Sequence, residues 1–398
     1  MKILYHPQVS MRSYTEPPKW LLRSDAQLTK MRAYVDALPD DWSWYWLLPE
    51  PWQSEGWGGD ANLETPPNLY SIPVPHMDNV LEDRFDFDMR VLSEVYGDIR
   101  PDVMLCEVPE HVRAWRAVQD RVGYSCPIVA MVEHVDFYDE TKVAARVPFM
   151  LRQVDGAIAA DKVVFPLDGM KREWLLNGAH ATMYAHDGPK VAVWHGLFSP
   201  SEVDEHREAG LHLKRSLEHL YPGPIVFLIS RLSDNDRTMY EDIIGASNDL
   251  LRQDHPHTLW VANPNEGKTW DWVRDNAEAY QVHPFGEKRL EREEYLRLLW
   301  AADVVPVMYD LSRIYSVGAC EALTAECKLV TAQQKYGYGL GHYLAARERT
   351  AIAEGIHGLT TWQDKGVHQR VHVEQWHSVE KNVDRVKATL EELVGVVA

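Results

Sequence analysis

Cysteine is scarce in this chain: the 398 residues hold four, Cys106, Cys126, Cys320 and Cys327, each alone in an apolar or helical context. No Cys-x-x-Cys spacing occurs, which argues against a disulfide frame or thiolate zinc site and implies reduced core thiols. Long uncharged apolar runs are missing too. No stretch of about 18 such residues could cross a bilayer, and the start, MKILYHPQVSMRSYTEPP, lacks the apolar centre of a signal peptide. A soluble, cytoplasmic protein without stable membrane insertion is the expectation. Internal repeats and low-complexity tracts are also lacking. Positive charge is in deficit: the formal net charge is −19, which disfavours sequence-blind binding to a phosphate backbone, since that draws on clustered Lys and Arg. One local exception stands out. Residues 1–33 carry Lys2, Arg12, Lys19, Arg23, Lys30 and Arg32 against Glu16 and Asp25, a net +4 with Tyr14 and Trp20 interleaved, so an anionic partner could be received there.

What the chain has is core material in rhythm. Hydrophobic residues make up 45%, and the length exceeds what one core usually organises, so two domains of roughly 150 to 200 residues are expected. MKILYHP, RPDVMLCEVP and CPIVAMVEHVDF read as short strands with continuous apolar runs, the form of parallel strands covered on both faces. Helical patterns such as RFDFDMRVLSEVYGDI and EHVRAWRAVQDRVG separate them, and VDGAIAAD, the helical LDGMKREWLLNGA and PKVAVWHGLFSP continue the alternation as strand, helix, strand. A charged stretch ending in Pro-Gly-Pro, near 200–222, reads as a boundary, after which IVFLISRLSDNDR begins a second series of strands and helices. The predicted architecture is α/β: two Rossmann-like, doubly wound domains with a cleft between them, over 1–205 and 206–380, and a C-terminal helix over 381–398. A Trp- and Pro-rich stretch, 42–76, breaks the rhythm and reads as an ordered insertion whose aromatic rings either stack on a base or sugar or cover the sheet edge.

Ligands of open α/β sheets bind beyond the carboxyl ends of strands, where loops lead into helix N-termini. Two places in the second half fit. In LISRLSDNDR a buried strand runs into Ser230, Arg231 and then Arg237, and a guanidinium fork at a strand end suits a diphosphate, although Arg231 alone could equally pair with an acidic neighbour. In SVGACEALTAE, Ser316, Val317 and Gly318 would present backbone N–H groups at a helix N-terminus, a ready anion site. Glu321, about one turn in, would accept ribose hydroxyls; the plainer reading is a carboxylate that favours the helix dipole.

Taken together, KVAVWHGLFSP, LISRLSDNDR, VHPFGE, EEYLRLLWAADVVPVMY and SVGACEALTAECKLVT, spanning 190–332, resemble the GT-B glycosyltransferases, in particular the retaining enzymes of glycosyltransferase family 4. The resemblance implies a GT-B architecture whose N-terminal domain binds the acceptor and whose C-terminal domain binds a nucleotide sugar, with UDP the commonest nucleotide. It places Arg231 at the arginine that contacts the donor diphosphate and Glu321 at the second glutamate of the Glu-x7-Glu motif, which binds the ribose. The family lysine falls at Asp236, so Arg237 is the nearest substitute. The first glutamate falls at Arg313, a departure that bears on donor-sugar contacts, since arginine there would meet a phosphate, a carboxylate or Asp310. In AMVEHVDF, His134 resembles the histidine near donor sugar and acceptor, with Glu133 and Asp136 beside it; a core or acceptor-binding role for His134 stands next to a catalytic one. In the family mechanism Arg and helix N-termini stabilise the leaving diphosphate, which itself takes the acceptor proton, and no cofactor or metal is required.

Other patterns carry less. Asp86-x-Asp88 starts a helical pattern and reads as a solvated face; His368, His372 and His377 lack a His-Glu-x-x-His frame and read as surface; NEGKTW lacks the upstream glycine of a P-loop. The acceptor stays open between a saccharide, a lipid and a hydroxymethylated pyrimidine in DNA, as in phage enzymes of a host cytoplasm. In that last case Arg12, Tyr14 and Trp20 would track the backbone and the Trp-rich stretch would receive a flipped base. A nucleotide-sugar epimerase and a catalytically inactive sugar-nucleotide binder are the readings outside the transferase class.

Overall fold

The structure is a computed structural model that describes residues 1–7, 26–49, 67–74, 89–132, 143–176, 190–196, 198–220, 223–229, 238–261, 272–273, 275–276, 290–308, 316–332, 341–362 and 367–395. The chain divides into two compact units: Met1–Leu197 with Val379–Ala398, and Phe198–Ser378.

The first unit contains β1 (Lys2–His6), α1 (Ala26–Ala37), β2 (Ser43–Pro49), β3 (Leu69–Val74), α2 (Met89–Ile99), β4 (Val103–Cys106), α3 (Val112–Val122), β5 (Ile128–Met131), α4 (Val143–Ala159), β6 (Lys162–Phe165), α5 (Asp168–Leu176) and β7 (Val191–Val193). Its seven strands pair in parallel in the order β3-β2-β1-β4-β5-β6-β7. Strands β4 and β5 are buried throughout, as expected of apolar runs covered on both faces. Helix α3 shows how the connections fit. Val112, Trp115, Val118 and Gln119 line its buried side, and Gly123, at φ 70°, ends it in the left-handed conformation that only glycine adopts without cost.

The second unit contains α6 (Pro200–Glu205), α7 (Arg207–Leu217), β8 (Ile225–Leu228), α8 (Tyr240–Arg252), β9 (Thr258–Val261), α9 (Arg292–Ala301), β10 (Val304–Val307), α10 (Val317–Thr324), β11 (Lys328–Ala332), β12 (Tyr343–Ala345), α11 (Arg349–Thr361) and α12 (Val367–His377). Its sheet is parallel too, in the order β12-β11-β10-β8-β9. The last helix, α13 (Val379–Val394), returns to the first unit.

Four expectations about the layout of the chain need correction. The division falls at Phe198, before the charged stretch, because Phe198 and Val203 are buried in the second unit's core with Trp300 and Val373. The C-terminal helix is not a separate segment: Val379, Val386 and Leu390 pack with Met31, Tyr34 and Val35 of α1. The Trp-rich stretch is no insertion in the sheet's rhythm, since it supplies β2 and β3. Trp44, Trp46 and Leu48 alternate with a period of two and bury one face of β2 in the core, so these rings are not available to stack on a base. VDGAIAAD lies largely in α4 rather than in a strand. A Cβ on Gly156 would fall 1.6 Å from the Pro109 carbonyl oxygen, so this glycine serves close packing of α4 on the turn after β4.

The basic N-terminal segment is partly spent inside the fold. Lys2 Nζ donates to the Ile99 carbonyl at 3.0 Å, Lys30 is buried on Glu107 at 3.2 Å, and Arg32 pairs with Asp36 at 3.0 Å. Arg12, Tyr14 and Trp20 lie outside the described residues, as do Lys19 and Arg23. His377 is buried at 1% exposure, not on the surface as its polarity implied. All four cysteines are buried free thiols; burial pushes the Cys126 thiol up to about 11 and those of Cys106 and Cys327 further. Among the described residues no helix is long and apolar enough to cross a membrane.

Candidate functional site

Each sheet reverses its direction of growth once, and such a switch point is where an open α/β sheet forms a crevice at the carboxyl ends of its strands. In the second unit the chain passes from β8 to β9 on one side and resumes with β10 on the other, so the switch lies between β8 and β10. Helix α10 is the next described element after β10. Ser316 caps it: the residue is extended (φ −122°, ψ 111°), and its hydroxyl accepts from the Ala319 N–H at 3.1 Å. The Ala319 and Cys320 amides also bond the Ser316 carbonyl. The amides of Val317 and Gly318, the first two helical positions, find no acceptor among the described residues. Two N–H groups at the positive end of a helix are thus left for a ligand.

Packing decides why these residues are small. Ala319, Cys320 and Leu323 are buried in the core of the unit. A Cβ on Gly318 would come within 2.9 Å of Ile229 Cδ1 and 3.2 Å of the Tyr295 hydroxyl, so the glycine lets the first turn of α10 settle against the residue that follows β8. The sequence reading saw room for a phosphate there; the structure adds close packing on Ile229 and Tyr295, whose side chains a larger residue would have to displace.

Glu321 lies one turn into α10 and is 2% exposed. Arg292, the first residue of α9, holds it: Nη2 lies 2.7 Å from Glu321 Oε1, a close ion pair. The same guanidinium is forked onto Glu202 of α6, with Nε to Oε1 at 2.9 Å and Nη2 to Oε2 at 2.7 Å, and it lies 5.8 Å from the Tyr295 ring centroid. Burial alone would pull the Arg292 pKa down, and the charges of Glu321 and Glu202 more than reverse that, so it stays cationic. For Glu202, burial pushes the pKa up, but the charge and hydrogen bonds of Arg292 outweigh it and hold the carboxyl below its ordinary value. Sequence reasoning found Glu321 but missed Arg292 and Glu202. Neither carries a local signal, because they meet Glu321 only through packing of α6, α9 and α10.

The first unit has its own switch point, between β1 and β4. Polar residues gather at the strand ends there. His6 ends β1, fully buried, and its Nδ1 accepts from Trp115 Nε1–H at 2.9 Å, which puts the ring proton on Nε2. His111 stacks on it with ring centroids 5.1 Å apart. Burial lowers the His6 pKa to about 3 and pushes that of His111 well down as well, so both rings are neutral at pH 7. Lys30 and Glu107 form their buried pair beside them. Nearby, at the ends of β5, β6 and β7, a small open recess is lined by Lys30, Tyr34, Met131, Val164, Trp194 and Gly196 among others. His195 follows Trp194, with Nε2 3.3 Å from Asp168; burial lowers its pKa against the pull of that carboxylate. Of these only Lys30 was named from the sequence, as part of the basic segment. The available signal was a polar residue ending a buried run, as in LYH and LCE.

Of the residues that were singled out, Ser316, Val317, Gly318 and Glu321 come together at one helix start. His134, Glu133, Asp136, Ser230, Arg231, Arg237 and Arg313 lie outside the described residues, although Met131 and Ile229 show which strand ends lead to the first five. Among the described residues no group of three or more His, Cys, Asp or Glu could hold a metal ion.

No protein-family model and no curated protein matches the chain. Solved structures do. A glycosyltransferase from Rickettsia africae superimposes with a TM-score of 0.67 at 11% identity, covering 99% of this chain and 98% of its own. The fold is GT-B. Anabaena HepE in complex with UDP matches at 0.61 and 14% identity over 98% and 100% of the two chains, and α,α-trehalose 6-phosphate synthase from Burkholderia multivorans at 0.63 and 14% over 100% and 99%. At such identities the likeness assigns the GT-B architecture, two Rossmann-like units, and nothing finer.

Proposed function

We propose that the chain is a glycosyltransferase that moves a sugar from a UDP-sugar to a hydroxyl acceptor, with retention, in the manner of glycosyltransferase family 4. The observation that carries this reading is the buried carboxylate of Glu321 one turn inside a serine-capped helix at the switch point of the second sheet. A nucleoside diphosphate offers the matching chemistry: phosphate oxygens for the Val317 and Gly318 amides, ribose hydroxyls for the carboxylate. Support for UDP comes from the GT-B likeness and from HepE, a structure of that fold with UDP bound.

Arg231 and Ser230, immediately beyond Ile229, are assigned to the diphosphate, with Arg237 and Arg313 as further cations toward the donor. The acceptor oxygen attacks the anomeric carbon on the face the leaving group departs from. The carbon–oxygen bond to the β-phosphate breaks, the phosphate takes the acceptor proton, and the developing charge is met by Arg231 and the start of α10. His134, with Glu133 and Asp136, is assigned to the sugar and acceptor. No metal or cofactor is part of this scheme.

A mass-spectrometric transfer screen tests it. UDP-glucose and other nucleotide sugars are offered with simple saccharides, lipid acceptors, hydroxymethylated-pyrimidine DNA and no acceptor, beside Glu321→Ala. Sugar added to one acceptor class by the wild type, with a loss of at least about tenfold in the variant, is the expected result. Transfer only to DNA would fix the acceptor as a modified base. Conversion of the donor sugar without any acceptor would replace the reading with an epimerase, and UDP binding without turnover would replace it with an inactive binder.

A further inference from the structure

The carboxylate assigned to the ribose is not held by its own helix. Its described polar partner is Arg292, and Arg292 is in turn fixed by two hydrogen bonds to Glu202. We propose that Arg292, set by Glu202, is a positioning residue that orients Glu321 for the two ribose hydroxyls and so makes the site select ribonucleotide over deoxyribonucleotide donors. This rests on the reading of Glu321 as a ribose contact.

The geometry gives each residue a distinct task. A guanidinium is a planar fork whose donors are fixed relative to one another, so pinning Nε and Nη2 on Glu202 also fixes the direction from which Nη2 approaches Glu321. That approach occupies Oε1. The other oxygen, Oε2, has no partner among the described residues. A carboxylate on a freely rotating side chain would have to be ordered when ligand binds; one clamped at Oε1 presents Oε2 already oriented. Burial sharpens the demand. Glu321 is 2% exposed, so hydroxyls that fail to reach it are not replaced by bulk water, and a ligand without them leaves a buried acceptor unmet. Lysine could not do this work: one ammonium cannot both fork onto Glu202 and hold a fixed approach to Glu321.

The test compares UDP with 2′,3′-dideoxy-UDP by calorimetric titration of the full-length protein. In the wild type UDP should bind at least about thirtyfold more tightly, the range for two hydroxyls on a buried carboxylate. Arg292→Lys and Glu202→Gln should each shrink that ratio by about tenfold, with the affinity for dideoxy-UDP nearly unchanged. Glu202→Gln keeps the shape of the pair and the charge of Arg292, so it remains informative if the arginine variant folds poorly. A merely structural role would move both ligands together and leave the ratio intact. Glu321→Ala separates the two layers of the argument. If its ratio falls to about 1 while Arg292→Lys and Glu202→Gln keep the wild-type ratio, the positioning role is overturned and the ribose contact stands. If Glu321→Ala keeps the wild-type ratio, the ribose contact itself fails, and the positioning role with it.

Discussion

Replacing Arg292 by methionine should destabilise the second unit by about 3 kcal/mol, the low end of the cost of breaking a buried ion pair. The reason is what stays behind. Glu321 would be left at 2% exposure with its described cation gone, whereas Glu202, whose side chain is one-third exposed, recovers water. Most of the cost therefore belongs to Glu321, which places the value at the low end of the roughly 3–5 kcal/mol range. Urea unfolding followed by a probe in the second unit measures it. The double variant Arg292→Met with Glu321→Gln should regain more than half of the loss, because an uncharged amide is far cheaper to bury than an unpaired carboxylate. A single-variant loss below about 1 kcal/mol, the scale of an exposed pair, would show that the three side chains are not coupled as their distances imply.

Acidification should unfold the first unit well before its carboxylates would require it. His6 is buried and neutral, with its pKa lowered from 6.5 to about 3, and His111 beside it is lowered too. In the unfolded chain both rings take up a proton as the pH falls through 6.5; in the folded chain they do not until far lower. Stability is thus full above about 6.5 and declines steadily as pH falls toward about 3, by about 1.4 kcal/mol per pH unit for each ring. For His6 alone the decline sums to several kcal/mol, on the order of 3 to 5. Charging either ring would also set it against its stacked neighbour. Denaturant midpoints of the first unit between pH 7 and 4 check this, with His6→Gln as comparison. The variant should start less stable, since the bond from Trp115 is altered, but show a slope shallower by about one proton. An unchanged slope would mean that His6 is protonated in the folded protein.

Much of this was written in the sequence, and the rest was hidden for physical reasons. Continuous apolar runs such as VMLC and IVAM betray doubly covered parallel strands because both their faces must be apolar, so the α/β class and the two sheets were legible. The start of α10 was legible too, since a Ser cap followed by small residues and an acid one turn in is a local pattern. Two errors came from reading composition instead of period. The stretch 42–76 looked like an insertion because it is rich in Trp and Pro, while the spacing of two between Trp44 and Trp46 already fitted a strand with one buried face. VDGAIAAD looked like a strand because it is small and apolar, yet Gly156 is there to admit the Pro109 carbonyl against a helix. Arg292, Glu202, His6 and His111 were illegible for a different reason: each acquires its role from a partner distant in sequence, and a lone polar residue does not announce which strand end or helix will meet it.

The central claim is that the switch point of the second sheet binds a nucleoside diphosphate through the first turn of α10 and Glu321. Titration of UDP into the protein, followed by calorimetry, tests it most directly. The account predicts one site per chain with a dissociation constant on the order of 1–100 µM, weakened at least about tenfold in Glu321→Ala. Absence of binding at millimolar UDP, or equal affinity in the variant, would contradict it.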